Sequence, residues 1–406
     1  MRKQATRPDR RRKVALFMGL TDTYEHGIAR GVARYARTRE DWDLFGYGWM
    51  FRPLEALEYW DGDGIIARVE SRRDADRLAA LGIPLVDVAG AYLRPGFLRV
   101  ANDDRATGVR AGSYLQACGF RCFAFCGVRG VFWSAQRREG FRQSVRQACP
   151  RVQVFEESLA WWESLQNSEH LGEWLSALPC PAGIFACNDT AGLKLAEMAR
   201  KLGLAVPGEL AILGVDNEDI LCELASPSLS SIPLDCESIG YRAAELLAGV
   251  LARSSGSRGG VRAGASARAR ARASDAAPIL VPPGEVVERD STRVFACDDP
   301  LVAEAVHRIR SRARDGANLA ELLAGLPASR RSLELRFRRA TGRTMHEELV
   351  RARLDAAKAL LRSTDQAVAH VARGSGFGTV QRFHEVFLRQ VGLSPARYRR
   401  DRRRPA

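Results

Sequence analysis

Residues 357–400 read AKALLRSTDQAVAHVARGSGFGTVQRFHEVFLRQVGLSPARYRR, and residues 319–342, upstream of them, read LAELLAGLPASRRSLELRFRRATG. The two stretches carry one pattern. In the upstream stretch Leu319, Leu322 and Leu323 recur at helical spacing, Gly325 and Pro327 break the chain, and Leu333 and Phe337 anchor a second helix four residues apart. In the downstream stretch Val368 and Val371 face inward, the segment 374–376 turns the chain, and Phe377, Phe383 and Phe387 follow. Residues three or four apart share one helix face, so each stretch predicts two helices joined by a short glycine-containing turn, the helix-turn-helix geometry. The helices expected around them cover about 301–314, then starts capped by Asn318 and Ser329, a long helix over 345–361, and short ones near 366–373 and 379–390. Residues 301–406 are thus expected to form an all-α domain with two helix-turn-helix units.

Charge singles out the same region. From Leu301 to the end, 23 Lys and Arg stand against 10 Asp and Glu, whereas residues 1–300 carry 39 and 38, so nearly all of the net charge of +14 sits in the last quarter. A near-neutral body with one strongly basic domain is the electrostatic footprint of a chain that touches a polyanion, and double-stranded DNA is the partner that fits helix-turn-helix units. No apolar run approaches the roughly 18 residues that cross a bilayer, and the basic start is followed by no signal-peptide pattern; no membrane partner and a cytoplasmic location are expected. Nine cysteines is an odd number, and Cys118, Cys122 and Cys126 straddle Gly119, so free thiols are expected and no metal set.

Upstream, short apolar runs alternate with amphipathic stretches. The runs at 14–18, 64–69, 84–88, 122–127, 152–155, 183–187 and 210–215 predict buried strands, and helices are expected near 25–37, 73–81, 105–117, 133–148, 168–177 and 190–202. Such alternation implies parallel sheets with right-handed crossovers, here a two-lobed α/β sensor over 14–290. Residues 1–13 are expected to be a disordered basic tail. Residues 253–277, RSSGSRGGVRAGASARARARASDAA, offer nothing apolar to bury and are expected to be a disordered insertion; PILVPP at 278–283 restores a strand, and 291–300 is a linker.

This α/β region lacks GxGxxG after its first strand, a P-loop and a nucleophile elbow, which leaves an enzyme without its usual anchors; no cofactor is expected. Polar residues do stand at predicted strand ends: Asp103, the pair Asn188 and Asp189, and the pair Asp216 and Asn217. In open α/β sheets the carboxyl ends of strands line the ligand crevice. Trp133, Arg137, Phe141 and Val145 form one helical row, which puts a guanidinium on an apolar face; either a structural carboxylate partner or a polar ligand must offset its burial.

Residues 357–400 resemble the signature of the AraC family of bacterial activators, including Gly376-Phe377, Gly392, Pro395, Tyr398 and Arg399. The resemblance implies sequence-specific DNA binding. With Leu333 and Phe337 in the core, Arg330, Arg331 and Glu334 lie on the exposed side of the first reading helix; with Phe383 and Phe387 in the core, Thr379, Val380, Gln381, Arg382 and His384 face outward on the second. Arg331, Gln381 and Arg382 are the candidate base readers, since arginine grips guanine and glutamine adenine bidentately. Arg338 and Arg339, with Arg336, Arg389 and Arg399, are phosphate partners or solvated surface. Leu335 and Glu385 depart from the family, which often carries a basic residue there: either they read an unusual half-site or they face away from DNA.

Residues 210–247, LAILGVDNEDILCELASPSLSSIPLDCESIGYRAAELL, resemble the LacI/ribose-binding family. That family implies a periplasmic-binding-protein-like sensor in which Arg137, Asn188 and Asp216 contact sugar hydroxyls, Asp103 lies near the lobe interface and Trp133 packs on the sugar ring. The amino-terminal helix-turn-helix usual in LacI repressors is expected to be missing, since the first strand is expected to begin at Val14. The two resemblances together imply a transcription regulator responding to a small sugar, acting as a homodimer with RNA polymerase to activate sugar-catabolic promoters; with WDLF at 42–45, DGDGIIA at 61–67 and ILVPPGEVVERDST at 279–292 the combination resembles the regulators of pentose operons, which implies a pentose, foremost D-xylose, as the effector. The alternative is a DNA-binding protein whose α/β region is a ligand-free dimerisation module.

Overall fold

The computed structural model describes residues 11–39, 41–47, 57, 60–92, 97–163, 169–255, 277–297 and 299–403. Most of the expected tail and of the expected insertion, residues 1–10 and 256–276, lie outside the described residues. The chain divides into two units: Met1–Tyr114 with Cys122–Thr292, and Leu115–Arg121 with Arg293–Ala406.

Two all-parallel sheets build the first unit. One has the order β11-β5-β4-β3-β1-β2, from β1 (Arg12–Phe17), β2 (Trp42–Tyr47), β3 (Gly64–Ala67), β4 (Leu85–Asp87), β5 (Leu98–Asn102) and β11 (Ile279–Val281). The other has the order β10-β9-β8-β6-β7, from β6 (Cys122–Val128), β7 (Gln153–Glu157), β8 (Ala182–Ala186), β9 (Leu210–Asp216) and β10 (Ser230–Pro233). The two sheets are the two lobes, a parallel-sheet α/β periplasmic-binding-protein-like domain. Val14, Leu16 and Ile66 pack against Ile28 and Val32 of α1 (Thr23–Arg37) and Ile239 and Leu247 of α9 (Cys236–Ser255) on one face of the first sheet. Ala15, Ile65 and Ala67 cover the other face with Ala75 and Leu78 of α2 (Arg72–Ala80). Burial on both faces is why these strands read as continuous apolar runs.

Glycines set the helix contact that matters for the cleft. Helices α3 (Asp104–Ala117) and α4 (Phe132–Val145) meet backbone to backbone: a Cβ on Gly108 would collide with the carbonyl of Arg137, and one on Gly140 with the carbonyl of Arg105. Only residues without a side chain allow that approach, and it brings the start of α3 beside Arg137.

The second unit is helical from Pro300 onward: α10 (Pro300–Ser311), α11 (Leu319–Leu322), α12 (Arg330–Thr341), α13 (Met345–Ser363), α14 (Val368–Gly374), α15 (Val380–Val391) and α16 (Pro395–Arg403). Asn318 caps α11 in a reciprocal capping box with Glu321, and Ser329 caps α12. Phe295, Val302, Val306, Leu322, Leu333, Phe337 and Met345 form one core; Leu354, Leu361, Val371, Phe377, Phe383, Phe387 and Tyr398 form the other. The units repeat with an offset of fifty residues: Ser329 and Thr379 cap, Leu333 and Phe383 then Phe337 and Phe387 are buried, and Gly342 and Gly392 close at φ 75° and 76°.

Candidate effector cleft and DNA-reading helices

Arg137 lies at the centre of the first unit's polar cluster. Its Nε donates to Asp104 Oδ1 at 2.8 Å, its Nη1 donates to the carbonyl of Cys187 at 2.5 Å and lies 3.9 Å from Asp216 Oδ1, and its guanidinium sits 4.9 Å from the centre of the Trp133 ring. Burial alone would lower the Arg137 pKa, and the neighbouring carboxylates of Asp104 and Asp216 more than offset it, leaving it raised. Burial raises the Asp104 carboxyl, although Arg137 pulls the other way. Of the two alternatives that the helical row left open, a structural carboxylate partner is present, and it is Asp104. Asp103 instead accepts from the Ala106 amide at 2.9 Å, at the start of α3. The sequence places two aspartates in succession at the strand end, and only the helix start decides which one turns inward.

Asn188 and Asp189 open α7 (Asp189–Lys201). Asn188 is its N-cap, accepting from the Ala191 amide at 2.9 Å. Asp189 is buried: Oδ1 accepts from Ser231 Oγ at 2.6 Å, and Oδ2 accepts from the Glu218 amide at 2.8 Å and from Cys222 Sγ at 3.5 Å. Burial pushes the Asp189 carboxyl up. Both of its oxygens serve the protein, which makes it a support for the following turn. That turn is strained: Asp216 and Asn217 stand at φ +103° and +52°. Such conformations cost about 1–3 kcal/mol each and persist where the surroundings fix them. Here Ser231 Oγ accepts from the Asn217 amide at 3.0 Å and Asp189 holds the Glu218 amide. The outcome is an Asp216 carboxyl aimed at Arg137, its pKa raised by burial.

A second guanidinium cluster lies on the lobe of the first sheet, and sequence reading missed it. Arg68, one residue past β3, approaches Asp22 Oδ2 at 2.7 Å, Glu25 Oε1 at 3.1 Å and Glu70 Oε1 at 2.9 Å. These side chains line a cavity with Phe17, Met18 and Thr21. Arg68 stands at the carboxyl end of β3 as Asp216 does at the end of β9, so the strand-end rule is the signal that could have found it. Nearby, Tyr24 donates to the carbonyl of Val88 at 2.6 Å and accepts from Asn102 Nδ2 at 3.3 Å. Two buried acceptors, Asn102 Oδ1 and Asn217 Oδ1, have no hydrogen-bond partner among the described residues.

In the second unit Arg330, Arg331, Arg338 and Arg339 are exposed on α12, and Gln381, Arg382, His384 and Glu385 are exposed on α15. Thr379 is spent as a cap, accepting from the Arg382 amide at 3.2 Å, and half-buried Glu334 accepts from the Met345 amide at 3.3 Å. Arg336 is held by Asp299 through two bonds of 2.5 and 2.6 Å. Leu335 is 74% exposed in the same row as Arg331 and Arg339, and Gln381 Nε2 donates to Glu385 Oε1 at 3.5 Å. The two departures from the family therefore occupy one equivalent position, on the outward face of each reading helix.

Comparison with known proteins fits this division. Residues 13–100 match the XylR N-terminal domain family, residues 113–292 a periplasmic binding protein-like domain, and residues 322–401 a helix-turn-helix domain. The chain is 29% identical to the xylose operon regulatory protein of Escherichia coli strain K12 over 96% of this chain and 97% of that protein. It is 29% identical to the protein of the same name from Haemophilus influenzae, over 95% and 98%. A solved structure described as the xylose-binding transcription activator xylR superposes with a TM-score of 0.57 at 29% identity, covering 97% of this chain and 98% of that one. The chain is a XylR-like DNA-binding transcription regulator. No helix among the described residues is long and apolar enough to cross a membrane.

Proposed function

We propose that this chain is a cytoplasmic, sugar-responsive activator whose effector is a pentose, D-xylose first among them, bound between the two lobes of the sensor. The observation that carries this reading is the convergence of Asp104, Asp216 and Trp133 on Arg137, and two buried acceptors, Asn102 Oδ1 and Asn217 Oδ1, stand without a hydrogen-bond partner among the described residues. A buried acceptor left unpaired costs about 1–3 kcal/mol, and a polyol brings hydroxyl donors for it without adding charge. Arg137 and Asp216 contact hydroxyls, Asn188 offers its amide nitrogen, and Trp133, with Arg137 over one face, packs its free surface on the sugar ring. Asp103 and Asp189 position these groups. The xylose in the names of the relatives makes D-xylose the first sugar to try.

The domain limits in this reading are a sensor over 14–290 with its insertion at 253–277, a linker over 291–300 and a DNA-binding domain over 301–406. Sugar shifts the balance between two arrangements of a homodimer by binding one more tightly, and the better-placed reading helices then recruit RNA polymerase. Arg331, Gln381 and Arg382 read bases; Arg330, Arg338 and Arg339 meet phosphates. Isothermal titration against a panel of pentoses and hexoses tests the sensor. Binding of D-xylose with release of less heat or none for hexoses is expected; no heat from any sugar, with unchanged melting temperature, contradicts it.

A further inference from the structure

The turn that presents Asp216 also reaches across to the other lobe. Two residues on, Glu218 Oε2 accepts from the Thr23 amide at 2.9 Å. Thr23 is the first residue of α1, in the lobe of the first sheet, and Glu218 follows β9 of the second. The Thr23 amide is one of the donors that a helix start leaves without an intrahelical partner. The N-cap of α1, Asp22, serves a different amide, that of Glu25 at 2.8 Å, so Glu218 does not duplicate it.

We propose that Glu218 is an inter-lobe latch: its carboxylate on the Thr23 amide holds the sensor closed, and the rigid turn it shares with Asp216 ties that closure to occupancy of the cleft. This rests on the cleft being the effector site. The turn is fixed from behind by Asp189, which accepts from the Glu218 amide, and by Ser231, which holds both Asp189 and the Asn217 amide. With the backbone over-determined there, Asp216 and Glu218 cannot move independently. A ligand that draws Asp216 into place sets Glu218 at the helix start, and an opened lobe withdraws both. Glu218 touches no ligand in this arrangement; it is a positioning residue.

The donor can be removed cleanly. Thr23 is the first helical position, where proline is well accommodated, and the preceding Asp22 has the extended backbone, φ −130° and ψ 167°, that proline demands of its neighbour. Thr23→Pro therefore deletes the N–H and keeps the helix. The test uses the full chain, first without sugar, by amide hydrogen exchange at Thr23. Glu218→Ala is expected to speed exchange roughly three- to tenfold, what one hydrogen bond is worth, with Glu218→Gln between it and the parent and the Ile28–Val32 amides unchanged. Unchanged exchange at Thr23 overturns the latch. The second arm follows D-xylose dissociation in Glu218→Ala, Thr23→Pro and the double variant. Each single change is expected to raise koff by that same factor with kon unaltered, and the double variant to go no further, because both remove one bond. Effects that multiply in the double variant, or that fall on kon, overturn it. If the parent binds no sugar, the proposed effector is wrong, and the exchange arm still decides the latch.

Discussion

Arg137 Nε and Asp104 Oδ1 meet at 2.8 Å with their side chains only 5% and 8% exposed. The two partners are not equivalent. A buried carboxyl can take up a proton and become neutral, and the Asp104 pKa is already raised by burial, whereas a guanidinium keeps its charge at any pH proteins survive. Asp104→Ala is therefore expected to cost more than Arg137→Ala, within the roughly 3–5 kcal/mol typical of a broken buried pair. Urea unfolding of the two variants checks the order, and the reverse order would show that the guanidinium is not truly enclosed.

Asp189 supports a strained turn, so its removal is expected to reach the cleft. Asp189→Asn puts an amide nitrogen against either the Glu218 N–H or the Ser231 hydroxyl, and should weaken sugar binding severalfold although Asp189 has no oxygen to spare for sugar. The pH dependence has a definite sign. Burial raises this carboxyl above its unfolded value of about 4. Its stabilising contribution is then complete below that unfolded value and is lost as pH rises through the folded one. The melting-temperature gap between parent and Asp189→Asn should shrink as pH climbs from 4 towards neutrality, and a gap that widens would refute the assignment.

On DNA, readout and charge are separable. Arg331→Ala and Gln381→Ala should each relax preference at one base pair, at about 1–3 kcal/mol on the selected site. Arg339→Ala should weaken selected and random DNA alike and make the salt slope shallower by about one. Arg336→Ala should leave that slope where it is, because Asp299 already holds its guanidinium. Fluorescence anisotropy across a salt series distinguishes the three cases.

Much of the architecture was readable in advance, and for identifiable reasons. Buried strands such as β6 and β9 announce themselves as apolar runs, and α12 and α15 by the spacing of Leu333 to Phe337 and Phe383 to Phe387. β2 and β5 carry no such signal: WDLFGY and LRVAN mix polar and apolar residues, because β2 lies at a sheet edge and the start of β5 is only half-buried. The site was legible as a set of strand ends. Asp216 and Arg137 lie 3.9 Å apart, whereas the pairing of Arg137 with Asp104 and the bonds of Asp189 to Ser231 and the Glu218 amide depend on which way a helix start turns its first side chains. The approach of Arg68 to Asp22 and Glu25 and the Thr23–Glu218 bond join residues far apart in sequence, and spacing carries no trace of those pairings.

The most direct measurement is the affinity of the full chain for a DNA fragment it has selected from random sequence, titrated with D-xylose in the parent and in Asp216→Ala. Sugar in the cleft is expected to tighten the parent's grip on that fragment, and Asp216→Ala to bind it equally without sugar and to lose the response, since a missing charged partner costs about 1.5–3 kcal/mol of sugar affinity. A parent that ignores D-xylose and every other sugar of the panel, or an Asp216→Ala variant that responds at the same sugar concentration as the parent, would contradict control of DNA binding through this cleft.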